Sequence, residues 1–152
     1  MAFIEFEDLK ELLVKDYVKP IQFVIDAETP IWKFIEIALY TPGREVFFVT
    51  RYGKPIGMIS IYKLFKWFLI KTRELRDLVN EVEVREALGL CVMDFADELV
   101  TVPENARIID AVREMVKNDV NVVGVVSSNG RLIGELEYKV ILELALKLIS
   151  RG

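Results

Sequence analysis

Two nine-residue stretches carry the residue types from which chemistry can be argued: GMISIYKLF, residues 57–65, and GELEYKVIL, residues 134–142. Each opens on a glycine and passes three residues later into the pattern of a helix start. In the first, Ser60 stands at the turn from extended chain to helix, and Lys63 follows one turn in. A hydroxyl there, beside unpaired backbone N–H groups and the positive end of a helix dipole, suits a phosphate. In the second, Glu137 and Val140 fill those two slots, and the carboxylate repels the same anion. Arg44, just before the apolar run VFFVT (46–50), adds another cation to the first copy. Each residue also has a plainer reading. Ser60 can be an N-cap, Lys63 a solvated helix lysine, and Arg44 one half of a surface ion pair with Glu45.

Other chemistry is sparse. The chain has no histidine, and Cys91 is its single cysteine. Ser-His and Cys-His nucleophile pairs, internal disulfides and cysteine metal clusters are therefore excluded. Carboxylates are plentiful, but none shows a catalytic spacing, so no enzyme, catalytic residue or metal site is expected. The net charge of −4 argues against general nucleic-acid binding. Its distribution is uneven. Residues 1–76 hold 12 Lys and Arg against 10 Asp and Glu, whereas residues 77–152 hold 8 against 14. The first half is the better host for an anion. A single glutamine, Gln22, amid abundant Glu and Lys leans toward a thermophilic source. No uncharged apolar run approaches the roughly 18 residues of a spanning helix, since LFKWFLI (64–70) is broken by Lys66. The opening MAFIEFEDLKELL is acidic where a leader would be basic. A cytoplasmic protein without membrane contact is expected. With 53% apolar residues it has a large core and an apolar surface for self-association.

The elements that must position these residues recur at an offset of 77. Ile31, Phe34, Ile35, Ala38 and Leu39 form a helical stripe, and the same offset gives Ile108, Ala111, Val112, Met115 and Val116. VFFVT lands on VGVVS (123–127), and the glycine-closed turns RYG (51–53) and SNG (128–130) coincide. Gly57 falls on Gly134. Leu64, Phe65, Phe68 and Leu69 fall on Ile141, Leu142, Ala145 and Leu146, the expected core faces of two closing helices. Each half thus reads as a short strand (23–25 and 100–102), a helix, two strands joined by a tight turn, and a final helix. A βαββα unit is too small to bury both sheet faces alone, so two copies packed sheet to sheet are expected. An amphipathic helix, EFEDLKELLVKDYV, precedes the first half, and residues 71–89 connect the halves with partial helix, Leu75, Leu78 and Val79 continuing a stripe.

This arrangement resembles a tandem pair of CBS domains, a Bateman module, over about residues 14–149. The carrying segments are FFVTRYGKPIGMISIYKL (47–64) and GVVSSNGRLIGELEYKVI (124–141), with VKDYV (14–18) and VMDFA (92–96) as leading segments at an offset of 78. The resemblance implies an α+β fold: an N-terminal helix (1–13), repeat 1 (14–70), a linker (71–89) and repeat 2 (90–149), with pseudo-two-fold symmetry. It also implies an adenosine ligand, AMP, ADP, ATP or S-adenosylmethionine, in a cleft between the repeats. In such modules a Thr or Ser hydroxyl holds phosphate and an Asp one turn on pairs with the ribose. Here Ser60 keeps the hydroxyl, Lys63 replaces the Asp, and Arg44, Gly57 and Ile59 flank the site. In repeat 2, Glu137 and Val140 replace both signature residues behind Gly134, a degenerate second site.

The mixed aromatic and basic segment 61–76 suits RNA stacking or a membrane surface, but also a core-facing stripe with basic residues outside. Trp67 lies off that stripe, and a homodimer with Trp32 or Trp67 near its contact is expected. The expected function is a stand-alone regulatory module that senses an adenine nucleotide and signals to an unidentified effector protein. The competing reading is a ligand-independent dimerisation and interaction scaffold with degenerate sites.

Overall fold

A computed structural model of the protein describes residues 10–74 and 81–150. In the first half, β1 (Val24–Asp26) leads to α1 (Ile31–Leu39), then β2 (Val46–Arg51), β3 (Lys54–Ser60) and α2 (Ile61–Glu74). After α3 (Glu81–Gly89) the order recurs as β4 (Thr101–Pro103), α4 (Ile108–Asn118), β5 (Val122–Val126), β6 (Leu132–Glu137) and α5 (Tyr138–Ser150). The two three-stranded sheets run β1-β2-β3 and β4-β5-β6. In each, the first pair is parallel and the second antiparallel. The protein is α+β, built from two βαββα repeats. Valine and phenylalanine fill β2 and valine fills β5, residues whose branched or aromatic side chains suit a pleated surface.

The helices bury most, but not all, of their apolar stripes. Ile31, Phe34 and Ala38 of α1 are buried, as are Ile108, Ala111 and Met115 of α4. The last member of each stripe, Leu39 or Val116, is instead exposed. Both lie toward the C-terminal end of their helix; Ile109, at a similar angle in the first turn of α4, is buried. The closing helices are corrected in the same sense. Leu64 is buried, but Phe65 is exposed; in α5, Val140 and Leu144 are buried while Leu142 and Leu146 are exposed. In α5 the apolar arc is wider than the arc that is buried; the side chains of Phe68 and Leu69 in α2 lie outside the described residues. Leu75, Leu78 and Val79 lie outside the described residues, as does most of the expected N-terminal helix. Residues 10–18, the described part of that segment, hold no α-helix: they form a turn, a bridge at Leu13 and a 3₁₀ turn at Val14–Asp16.

The described residues divide into two compact units, residues 10–22 with 100–150, and residues 23–74 with 81–99. These differ from the sequence repeats because the leading segments are exchanged. In one unit, Leu13 bridges Arg107, Val14 N–H donates to Ala106 O at 2.9 Å, and Lys19 bridges Glu135. In the other, Cys91 bridges Pro30, Val92 N–H donates to Thr29 O at 2.8 Å, and Asp97 bridges Met58. Val14 and Val92 are both fully buried. Val92 joins Ile25, Phe34, Phe47, Val49 and Ile59 in one apolar core, where the Phe34 and Phe47 rings meet edge to face at 5.2 Å. Each repeat is completed by the segment that leads the other.

Candidate functional site

The corner between β3 and α2 takes its shape from three residues of one strand. Gly57, opposite Val49 in β2, is buried. A Cβ there would lie 2.8 Å from the carbonyl oxygen of Asp97 and 3.4 Å from the Ala96 Cβ. Glycine is required because the chain at 96–97 runs directly over it. Ile59 is 1% exposed and anchors the strand in the core. Ser60 pairs with Val46 in the ladder and then caps α2, its Oγ accepting from Lys63 N–H at 3.3 Å. Ile61 N–H donates to Glu45 O at 3.0 Å, which fixes where the helix begins.

Lys63 points from the first turn of α2 to the carboxylate of Asp97, Nζ to Oδ2 at 3.1 Å. The two side chains are 47% and 55% exposed, so this is a surface pair that salt screens. Arg44 is placed differently. Its Nε donates to Val46 O at 2.6 Å, and its guanidinium lies 4.8 Å from the Phe23 ring centroid. The structure thus brings Ser60 and Lys63 together at one corner, while Arg44 is laid along the start of β2. Trp67, expected off the core stripe, is half-buried and packs edge to face on Phe95 at 4.8 Å. The segment 95–97 therefore holds this corner three times: Phe95 on Trp67, Ala96 and Asp97 over Gly57, and Asp97 on Lys63.

In the unit that holds repeat 2 the same frame carries different chemistry. Gly134 is crowded by Lys19, whose carbonyl oxygen would lie 2.7 Å from an added Cβ. Glu137 ends β6 opposite Val122 and is half-buried, and Tyr138 N–H donates to Asn121 O at 2.9 Å. Val140, the counterpart of Lys63, is 6% exposed and part of the packing under α5. Lys19 stands where Asp97 stands in the unit of residues 23–99, and Val140 where Lys63 stands, so the ion pair has no counterpart there. The closeness of Asp97 to Lys63 was not foreseen from sequence. The signal available was the offset of 78, which makes Asp97 the equivalent of Lys19 at the end of a leading segment.

Among the described residues, no helix is long and apolar enough to cross a membrane, and no three His, Cys, Asp or Glu side chains are grouped to hold a metal ion.

The CBS domain family matches residues 92–147 of this chain. No curated protein matches the sequence. Solved structures of the same fold include a hemolysin-like CBS-domain protein of Oenococcus oeni PSU, with TM-score 0.67 and 18% identity over 90% of this chain and 92% of that one. CBSX2 in complex with AMP has TM-score 0.69 and 20% identity, over 90% and 98%. The CBS domain of the bacterial CNNM/CorC family Mg2+ transporter in complex with ATP has TM-score 0.68 and 17% identity, over 90% and 89%. At these identities the likeness establishes the fold. Residues 92–147 thus belong to the CBS domain family, and the chain as a whole has the fold of solved tandem CBS pairs.

Proposed function

We propose that the protein is a regulatory module that binds an adenosine nucleotide of the AMP, ADP or ATP kind at the Ser60 corner and signals to a partner protein. The observation that carries this reading is Ser60 itself: a hydroxyl placed by a strand ladder at the first turn of a 14-residue helix, in a fold whose solved relatives include complexes with AMP and ATP. The hydroxyl accepts from Lys63 N–H and still has its own proton to donate to a phosphate oxygen. The helix dipole adds a fixed positive potential at the same place. Gly57 and Ile59 hold the strand that delivers it. A nucleotide that favours one arrangement of the protein over another shifts that population, and a partner reads the shift.

Self-association fits the exposed apolar faces of the closing helices. Tyr62 and Phe65 stack with 6.4 Å between ring centroids on α2, and Tyr138, Leu142, Leu146 and Ile149 line α5. We assign a homodimer contact to these faces; Trp32 on α1 is exposed as well. A Leu146→Glu variant that sediments as the wild type does would refute that assignment.

The second reading, a scaffold without a ligand, is favoured by Asp97, which already neutralises Lys63, and by the Glu137 and Val140 pair in the second repeat. Thermal unfolding of nucleotide-stripped protein with AMP, ADP, ATP and S-adenosylmethionine decides between them. Ligand at about 100 times its dissociation constant stabilises a fold by roughly 2.7 kcal/mol. A shift with one nucleotide that is lost in Ser60→Glu supports the sensor; no shift with any of them supports the scaffold.

A further inference from the structure

The outer helices of the two repeats differ in a regular way. At the offset of 77, positions that are apolar and exposed in one repeat stay so in the other: Leu39 with Val116, and Phe65 with Leu142. Positions charged in both repeats change sign. Among the described side chains of these helices they are Lys33 with Asp110, Glu36 with Arg113, and Lys66 with Glu143. Two exposed tyrosines are replaced by cations, Tyr40 by Lys117 and Tyr62 by Lys139. An aromatic face attracts a cation, so these too are complementary pairs. Away from the helices the rule lapses, since Lys54 and Arg131 at the two hairpins have the same sign.

The reversed charges stand beside the exposed apolar positions. Glu36 precedes Leu39 by one turn of α1, and Lys66 adjoins Phe65 on α2. Lys33 and Glu36 pair at 3.1 Å on α1, and Asp110 and Arg113 pair at 3.7 Å on α4. All four side chains are at least 45% exposed, so these pairs do little for their own helices. They differ in order along the chain, and a partner surface feels that order. If repeat 1 met repeat 1 of a second copy, α2 would face α2. Its described exposed charges, Lys63 and Lys66, are both cations, so like charges would meet in any register. Repeat 1 against repeat 2 sets apolar positions on apolar ones, Lys66 toward Glu143, and tyrosines toward lysines.

We propose that two copies associate with α1 and α2 of one facing α4 and α5 of the other, the two-fold making each contact twice. The apolar positions supply the buried area, and the reversed charges reject the pairing of like repeats. The proposal rests on the homodimer assignment above and adds which surface meets which.

Sedimentation equilibrium of the full chain at low salt tests it, in the wild type, Lys66→Glu, Glu143→Lys and the double variant. Both positions are exposed, so the core is untouched. Each single reversal sets like charges across both contacts and should weaken the dimer at least about tenfold. The double variant should return to within about threefold of the wild type, and both effects should shrink in molar salt. A second measurement reads the arrangement itself. In a Cys91→Ser background, Lys66→Cys copies mixed with Glu143→Cys copies should be joined by a short bis-maleimide, and neither kind to itself. Single reversals that leave the dimer unchanged, or Lys66→Cys copies that cross-link among themselves, would overturn the arrangement and leave the homodimer intact. A wild type that sediments as a monomer would overturn the homodimer and this proposal with it.

Discussion

Met58 and Asp97 exchange both of their backbone hydrogen bonds, at 3.1 and 2.8 Å, and so close the β3 edge with a segment from beyond α3. The approach is possible only because residue 57 has no side chain. A methyl group there would push into the Asp97 carbonyl, which is backbone and cannot swing aside. Gly57→Ala should destabilise the fold by about 2 kcal/mol, in the range of overpacked cores. Gly89 is the control: it ends α3 with nothing within 4 Å of a added Cβ. Gly89→Ala should be neutral or stabilise by up to about 1 kcal/mol. Urea unfolding of the two variants compares them directly, and equal effects would contradict the close approach.

The exchanged leading segments predict where damage is felt. Val14 packs in the unit of residues 100–152 and Val92 in the unit of residues 23–99. Truncation of either to alanine removes two buried methyl groups, at a cost of about 2 kcal/mol with the cavity included. Hydrogen exchange should show Val92→Ala loosening β1, β2 and β3, and Val14→Ala loosening β4, β5 and β6. The reverse assignment would refute the exchange.

The turn between β2 and β3 places Tyr52 at φ +52° and Gly53 at φ +76°, and Tyr52 is 95% exposed. Positive φ at both central residues favours Asn-Gly over a bulky side chain, whose Cβ is strained there. With almost no packing to lose, Tyr52→Asn should stabilise by about 0.5–1 kcal/mol. A destabilised variant in urea would show that the tyrosine ring has a contact that offsets the strain.

A double-mutant cycle of Lys63→Ala and Asp97→Ala should give a coupling of about 0.2–1 kcal/mol, as exposed pairs do. The coupling should shrink in molar salt. A value of several kcal/mol would mean that the pair is structural rather than held ready for a ligand.

The repeat was legible because burial pattern and glycine position survive where identity does not. Gly57 and Gly134 mark close approaches, and the apolar runs at 46–50 and 123–127 form the middle strands of both sheets. Helix faces were less legible. Phe65 and Leu142 sit within apolar stripes yet lie outside, because hydropathy records what can be buried and not how much sheet is there to cover it. The exchange of leading segments was hidden for a different reason. The offset of 78 makes residues 14–18 and 92–96 equivalent, but the bonds that assign each to a unit are made by backbone, such as Val92 N–H to Thr29 O, and carry no side-chain signature. Asp97 escaped with them. Its carboxylate meets Lys63 only because that backbone places it there. Within the motif, Ser60 was readable both as a cap and as an anion contact, and its bond from Lys63 N–H fits the first without removing the proton needed for the second.

The most direct test of the central claim is equilibrium binding of AMP, ADP and ATP to nucleotide-stripped protein, in the wild type and in Ser60→Asp. Aspartate keeps the capping acceptor but sets a negative charge where phosphate should sit. Saturable wild-type binding that weakens at least about tenfold in a folded Ser60→Asp is the predicted result. Wild-type protein that binds none of AMP, ADP and ATP, or a variant that binds its nucleotide as tightly, would contradict the account.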